Sequence, residues 1–300
     1  MVAAPPRAAC AAGGLLVLRA TGRYLTLLEP SSGELLPALV RRRLSVVVGD
    51  RVDVEPRGDR LVAVRVHPRR TVLRRREGAG VQILAANVEL LVIVTAVGPQ
   101  FRPGLIDRML VAADVDGIEP LIVLNKIDLD GRDPAVAGAE RYRRLGYRLL
   151  ATSAVTGEGL PALAAALAGR VSVLAGHSGV GKSSLLNALA PGADRAVAEV
   201  NPVTGKGRHT TSVAEGYPFA GGVLIDLPGL REFGLAGVAP HRLAGAFPEL
   251  RAAAAGCRFA DCLHEVEPDC AVRRAVERGE IAPQRYDSYL RMLASLRPSA

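Results

Sequence analysis

The chain has no Trp, and aromatic residues make up only 4% of it, so any core it forms must be packed with aliphatic side chains. Lysine is almost missing: 35 of the 38 basic residues are Arg, and the three exceptions are Lys126, Lys182 and Lys206. No apolar run approaches the ~18–20 residues that span a bilayer. Residues 1–12 carry one Arg and no sustained apolar stretch, which reads as a disordered lead-in rather than a signal peptide. A membrane span is thereby excluded, and a cytoplasmic protein is expected. Cysteine is scarce as well, with four in 300 residues, three of them within 257–270.

A hydrophobic content of 49% is ample for a sizeable core, and 300 residues suggest two or three domains. The net charge of +8 is unevenly placed. Residues 1–77 hold 15 Arg against 7 acidic residues, whereas the remainder is balanced at 23 of each sign. Mutational bias explains Arg over Lys but not a surplus at one end, which is the footprint expected of a nucleic-acid-binding segment.

Between 13 and 77 short alternating runs (Leu15–Leu18, Tyr24–Leu28, Leu39-Val40, Val52/Val54, Val62/Val64/Val66) are separated by turn residues. Five strands in so short a stretch predict an OB-type barrel. Arginine clusters at 41–43, 69–70 and 74–76 flank its strands and suit phosphate contacts with RNA. Residues 78–236 alternate continuous apolar strands (90–94, 121–124, 148–151, 171–174, 223–225) with helical patterns at 102–116, 134–145 and 159–168. That pattern predicts a parallel sheet with helices on both faces, its ligands lying at the strands' carboxyl ends. Residues 237–300 are Ala-rich and helical, end in a helix at 283–296, and need a staple because so small a segment buries little core.

Gly176-His177-Ser178-Gly179-Val180-Gly181-Lys182-Ser183-Ser184 fits the phosphate-loop pattern between a strand and a helix. Its glycines let backbone N–H groups face an anion, Lys182 reaches the β/γ-phosphates and Ser183 binds Mg²⁺. Asn125-Lys126-Ile127-Asp128 ends another strand. The Asp128 carboxylate accepts two hydrogen bonds from guanine, whereas adenine would leave it unpaired. Ser153 and Ala154 follow a further strand and suit a backbone contact to the guanine carbonyl. Asp226-Leu227-Pro228-Gly229 places an aspartate for Mg²⁺ and a Gly229 N–H for the γ-phosphate. The 205–211 loop offers His209, Thr210 and Thr211. Leu230 stands where a water-orienting Gln would be in Ras-type GTPases, leaving His209 as the nearest polar group to position water. Cys257-x4-Cys262-x-His264-x5-Cys270 supplies three thiolates and an imidazole, enough for a closed structural Zn²⁺ site. Disulfides are disfavoured in a reducing cytoplasm.

The guanine motifs precede the phosphate loop, the reverse of the usual order, so the GTPase domain is circularly permuted. With GHSGVGKSS, GKGRHTT, IDLPGLREFGL, VLNKIDL and CRFADCLHEVEPDC, the sequence resembles the RsgA (YjeQ) family of small-ribosomal-subunit GTPases. The resemblance implies an OB barrel, a permuted GTPase domain and a zinc domain. It also implies weak GTP hydrolysis stimulated by the 30S subunit, contact with 16S rRNA and a role in late subunit maturation. It places the family's histidine on His209, favours Thr211 over Thr210 for Mg²⁺, and puts zinc on Cys257, Cys262, His264 and Cys270. A monomer is expected. Leu227 and Ser212 depart from the family's usual Thr.

Overall fold

The computed structural model describes residues 14–77, 80–131, 133–192, 214–227 and 235–297. Strands β1 (Leu15–Thr21), β2 (Tyr24–Leu28), β3 (Leu35–Val40), β4 (Arg51–Arg57) and β5 (Arg60–Val66) run in the order β1-β2-β3-β5-β4, and β4 returns to β1 to close the barrel. Its interior is filled by alternate residues, among them Leu15, Val17, Leu25, Leu27, Val52 and Ala63. The other face of β1 presents Leu16 and Leu18 to the core of the sheet beside it. The run Leu15–Leu18 is therefore apolar throughout because β1 is buried on both faces.

The neighbouring sheet is built from β8 (Leu90–Ala96), β9 (Glu119–Asn125), β10 (Arg148–Ala151), β11 (Val171–Ala175) and β13 (Gly222–Asp226), all parallel in the order β10-β9-β8-β11-β13. Antiparallel β12 (Glu215–Phe219) lies beyond β13 and pairs with β1 in register at Arg19 opposite Glu215. An ion pair of 3.2 Å between those side chains reinforces the junction, so barrel and sheet form one continuous array of eleven strands. Helices α1 (Pro103–Asp116) and α2 (Asp133–Arg144) connect strands in one direction across the sheet, and α3 (Leu160–Leu167) and α4 (Lys182–Leu189) in the other. Right-handed crossovers then place the two pairs on opposite faces. α1 is framed by Pro103 in its first turn and by Gly117, left-handed at φ +66°, just past its end.

Strands β6 (Val72–Glu77) and β7 (Gly80–Ala86) form a separate two-stranded sheet. The hairpin is tied to the end of α1 by Arg74, whose Nε lies 2.6 Å from Oδ1 of buried Asp116. Here the structure adds strands that the sequence pattern conceals: β3 begins at Leu35 because Pro37 is accommodated within it, and β6 is the Arg-rich run itself.

The C-terminal part comprises a 3-10 turn (Pro240–Ala246), α5 (Pro248–Ala254), α6 (Ala271–Glu277) and α7 (Pro283–Leu296). Its apolar residues Leu243, Phe247, Leu250, Val272, Tyr289 and Leu293 are continuous with the core around α1. A buried polar cluster crosses the same boundary. Arg285 on α7 bonds Asp107 on α1 at 2.5 Å and Glu249 on α5 at 2.6 Å, and its guanidinium lies 4.5 Å from the centroid of the Phe247 ring. Tyr142 of α2 completes the cluster, donating its hydroxyl to Asp107 at 2.7 Å. The C-terminal segment is thus held by shared core and ion pairs in addition to its cysteines.

Candidate functional site

The carboxyl ends of β9, β10, β11 and β13 bring Asn125, Ser153, Gly176 and Asp226 to one edge of the sheet, where open α/β sheets bind ligands. The loop from Gly176 to Gly181 runs from β11 into α4, and two of its glycines are required by their surroundings. Gly176 has φ +156°, and a Cβ there would lie 2.3 Å from the carbonyl oxygen of Val94. Gly181 has φ +95°, and a Cβ would lie 2.4 Å from the amide nitrogen of Asn125. The loop is strapped to the end of β9 by Asn125, whose buried side chain donates to the Val180 carbonyl at 2.9 Å and accepts from the Thr152 hydroxyl at 3.2 Å. Ser183 and Ser184 stand exposed in the first turn of α4.

Lys182 donates to the carbonyls of Gly176 and His177 at 2.8 and 3.2 Å. Burial pushes its ammonium pKa down, while the charge of Asp226 acts in the opposite sense. Burial likewise pushes the Asp226 carboxyl up, and Lys182 pulls it back. These two groups are the charged centre of the site. Lys126 is left-handed at φ +63°, reaching Oε1 of Gln100 at 3.3 Å, and Asp128 is exposed beside it. Ser153 is buried. Its hydroxyl accepts the backbone N–H groups of Val155 and Thr156 at 3.2 and 3.1 Å, which shapes the turn that carries Ala154.

In the C-terminal part the donor atoms of Cys257, Cys262, His264 and Cys270 lie within 4.8 Å of one another. Nδ1 of His264 is 3.5 Å from Sγ of Cys257 and 3.4 Å from Sγ of Cys270, and those sulfurs are 3.9 Å apart. A tetrahedral Zn²⁺ with ordinary bond lengths gives edges of roughly 3.6–3.8 Å. Burial keeps the His264 imidazole pKa low, leaving Nδ1 free to ligate, and pushes the Cys262 thiol up to about 12, a cost that a bound cation offsets. The loop is braced from α7, where the hydroxyls of Tyr286 and Tyr289 donate to the carbonyls of His264 and Leu263, both at 2.5 Å. Glu267 gathers the backbone N–H groups of Leu263, Glu265 and Val266. Although burial opposes it, these bonds hold the carboxyl down to about 2.

Residues 66–236 match the family model for the RsgA GTPase. The small ribosomal subunit biogenesis GTPase RsgA of Serratia proteamaculans is 45% identical over 270 residues, 86% of this chain and 77% of that protein. The chain belongs to the RsgA GTPase family. YjeQ from Thermotoga maritima superposes with a TM-score of 0.75 at 33% identity, covering 95% of this chain and 99% of that one. YloQ, a circularly permuted GTPase, gives 0.75 at 28% identity, covering 98% and 99%. The protein is a GTP hydrolase that uses GTP and Mg²⁺, and its Cys3His cluster fits one structural zinc ion.

The magnesium fit rests on Asp226, whose Oδ1 is buried without a hydrogen-bond partner among the described residues. His209, Thr210, Thr211 and Gly229 lie outside the described residues, as does Cys10. The arginine clusters divide. Arg41, Arg42 and Arg43 are exposed. Arg69 grips the buried Asp50 with two bonds of 2.7 and 2.8 Å, and Arg74 is spent on Asp116, so both serve the fold. Gln100, which approaches the 176–181 loop from the turn after β8, is part of no sequence motif, and the motif residue His177 is buried in that loop with its ring between two carbonyls, a contact the motif does not announce.

Proposed function

We propose that this GTP hydrolase acts in late maturation of the small ribosomal subunit, docks on 16S rRNA through its barrel and zinc segment, and is stimulated by the 30S subunit. The observation that carries this reading is the relatives' shared name, small ribosomal subunit biogenesis GTPase. The exposed Arg41–Arg43 run on a closed barrel supports it, being placed to bind phosphates without reading sequence.

In this reading Asn125, Lys126 and Asp128 hold guanine, with the backbone of Ser153 and Ala154 at its carbonyl. The N–H groups of residues 176–184 and the Lys182 ammonium hold the phosphates. Ser183, Thr211 and Asp226 would hold Mg²⁺, which when bound neutralises charge on the β- and γ-phosphates. The Gly229 N–H meets the γ-phosphate, and His209 positions the attacking water. The protein acts as a cytoplasmic monomer.

GTP turnover measured with small subunits, large subunits or neither tests the proposal. Small subunits alone are expected to accelerate turnover. His209→Ala is expected to lose about 10²-fold of the stimulated rate with GTP binding retained. Equal stimulation by both subunits, or by neither, removes the subunit assignment, and an unchanged His209→Ala rate removes that residue's role. Asp128→Asn is expected to weaken GDP binding by at least about 10²-fold and to favour xanthosine diphosphate. Unchanged base preference in a competition assay would mean that Asp128 does not read the base.

A further inference from the structure

Gln100 ends the short 3-10 turn Gly98–Gln100 between β8 and α1, outside every nucleotide motif in the sequence, yet it touches both halves of the site. Its main-chain carbonyl lies 2.7 Å from Nε2 of His177 and accepts the Thr95 hydroxyl at 3.2 Å. Its side-chain oxygen accepts Nζ of Lys126 at 3.3 Å. Its side-chain nitrogen lies 3.1 Å from where a Cβ on Gly179 would be, so it covers the crown of the phosphate loop. His177 reaches from that loop with Nδ1 2.7 Å from the Ser178 carbonyl. A neutral imidazole donates to one of these two carbonyls and an imidazolium to both. Either way the ring is wedged between the phosphate loop and the 98–100 turn.

We infer that Gln100 and His177 form a brace that fixes the spacing between the base-binding and phosphate-binding halves of the site, making both positioning residues for nucleotide binding. The inference rests on the guanine-nucleotide reading of the site. Its physical content is preorganisation. A ligand with both base and diphosphate gains from two half-sites held at the correct separation, whereas a fragment that occupies one half gains nothing from the spacing. Asn125 supplies one strap between the halves through Val180, and the brace supplies the second through His177 and Gly179.

The test compares affinities for GDP, guanosine and pyrophosphate, each read by displacement of a fluorescent GDP analogue from the full-length protein. Gln100→Ala and His177→Ala are each expected to weaken GDP about tenfold, the scale of one lost charge-assisted or buried hydrogen bond, while the two fragments change less than about twofold. The double alanine variant is expected to lose less than the product of the two single losses, since both act through one brace. Parallel losses for GDP and both fragments would reduce the pair to supporting the loop's fold and overturn the inference. Unchanged GDP affinity in both single variants would also overturn it. Failure of the wild-type protein to prefer GDP over ADP would instead strike at the guanine reading itself.

Discussion

Cys270→Ala is expected to abolish zinc binding and to unfold residues 257–270. The four donors already lie within 4.8 Å of one another, and two of the sulfur ligands, Cys262 and Cys270, are buried. Removing one sulfur leaves three ligands around a cation and, once the cation dissociates, a cluster of desolvated thiols and an imidazole. Structural zinc supplies an apparent ~10–16 kcal/mol in small peptides. The loss here is smaller, because α6 and α7 also share the core around α1, but it is still expected to exceed that of any single apolar truncation. Metal content should fall from one zinc per chain to none, and trypsin should gain access at Arg258, which lies in the zinc loop with its side chain already 67% exposed. Cys10→Ala is the control and should leave both readouts unchanged. One zinc per chain in Cys270→Ala, with an unaltered tryptic pattern, would sink the assignment.

Arg285→Ala is expected to lower the thermal midpoint by about 10 °C. The side chain is 3% exposed and joins α7 to Asp107 on α1 and Glu249 on α5. Truncation leaves two carboxylates facing each other without a cation, and breaking a buried pair in this way costs ~3–5 kcal/mol. For a unit of this size each kcal/mol moves the midpoint by about 2–4 °C. Lysine should rescue poorly, since one ammonium cannot reproduce a fork that bonds Asp107 through Nη1 and Glu249 through Nε and Nη2. Replacing Arg285, Asp107 and Glu249 together with apolar residues of similar volume should recover most of the loss, because no unpaired charge then remains. Tyr142 would keep one acceptor, the Pro103 carbonyl at 3.1 Å. A midpoint shift below about 2 °C in Arg285→Ala would show that the cluster contributes little.

What could be read from the sequence follows from how local each signal is. The parallel strands are legible because both their faces are buried, so residues 90–94 and 121–124 within them are uninterrupted apolar runs. The phosphate loop, the guanine motif and the Cys3His spacing were legible because their chemistry demands fixed residue types at short separations. The β6–β7 hairpin was not, since its stability depends on a partner 42 residues away, Asp116, that no local pattern announces. The same holds for Arg69, which reads as one more basic surface residue until Asp50 is found beneath it. Arg285 is the extreme case: on an amphipathic helix it looks solvated, yet its partner Asp107 lies 178 residues earlier. Gln100 escaped because a glutamine next to Pro in a turn carries no chemical signature. Its position becomes informative only once β8 and β11 are neighbours.

The junction of Arg19 with Glu215 also dictates an order of assembly during synthesis. Strand β1 is made together with β2 to β5, and those five pair with one another to close the barrel. Its outer partner, β12, is made 196 residues later. At about 5–20 residues per second β12 follows β1 by roughly 10–40 s, and Leu18 on the outward face of β1 waits that long for its neighbour Gly216. Strands β8, β9 and β10 are made in the interval, before β11, which will sit between β8 and β13. The strands made first are therefore joined to the large sheet among the last, when β12 is in place to lie beside β1.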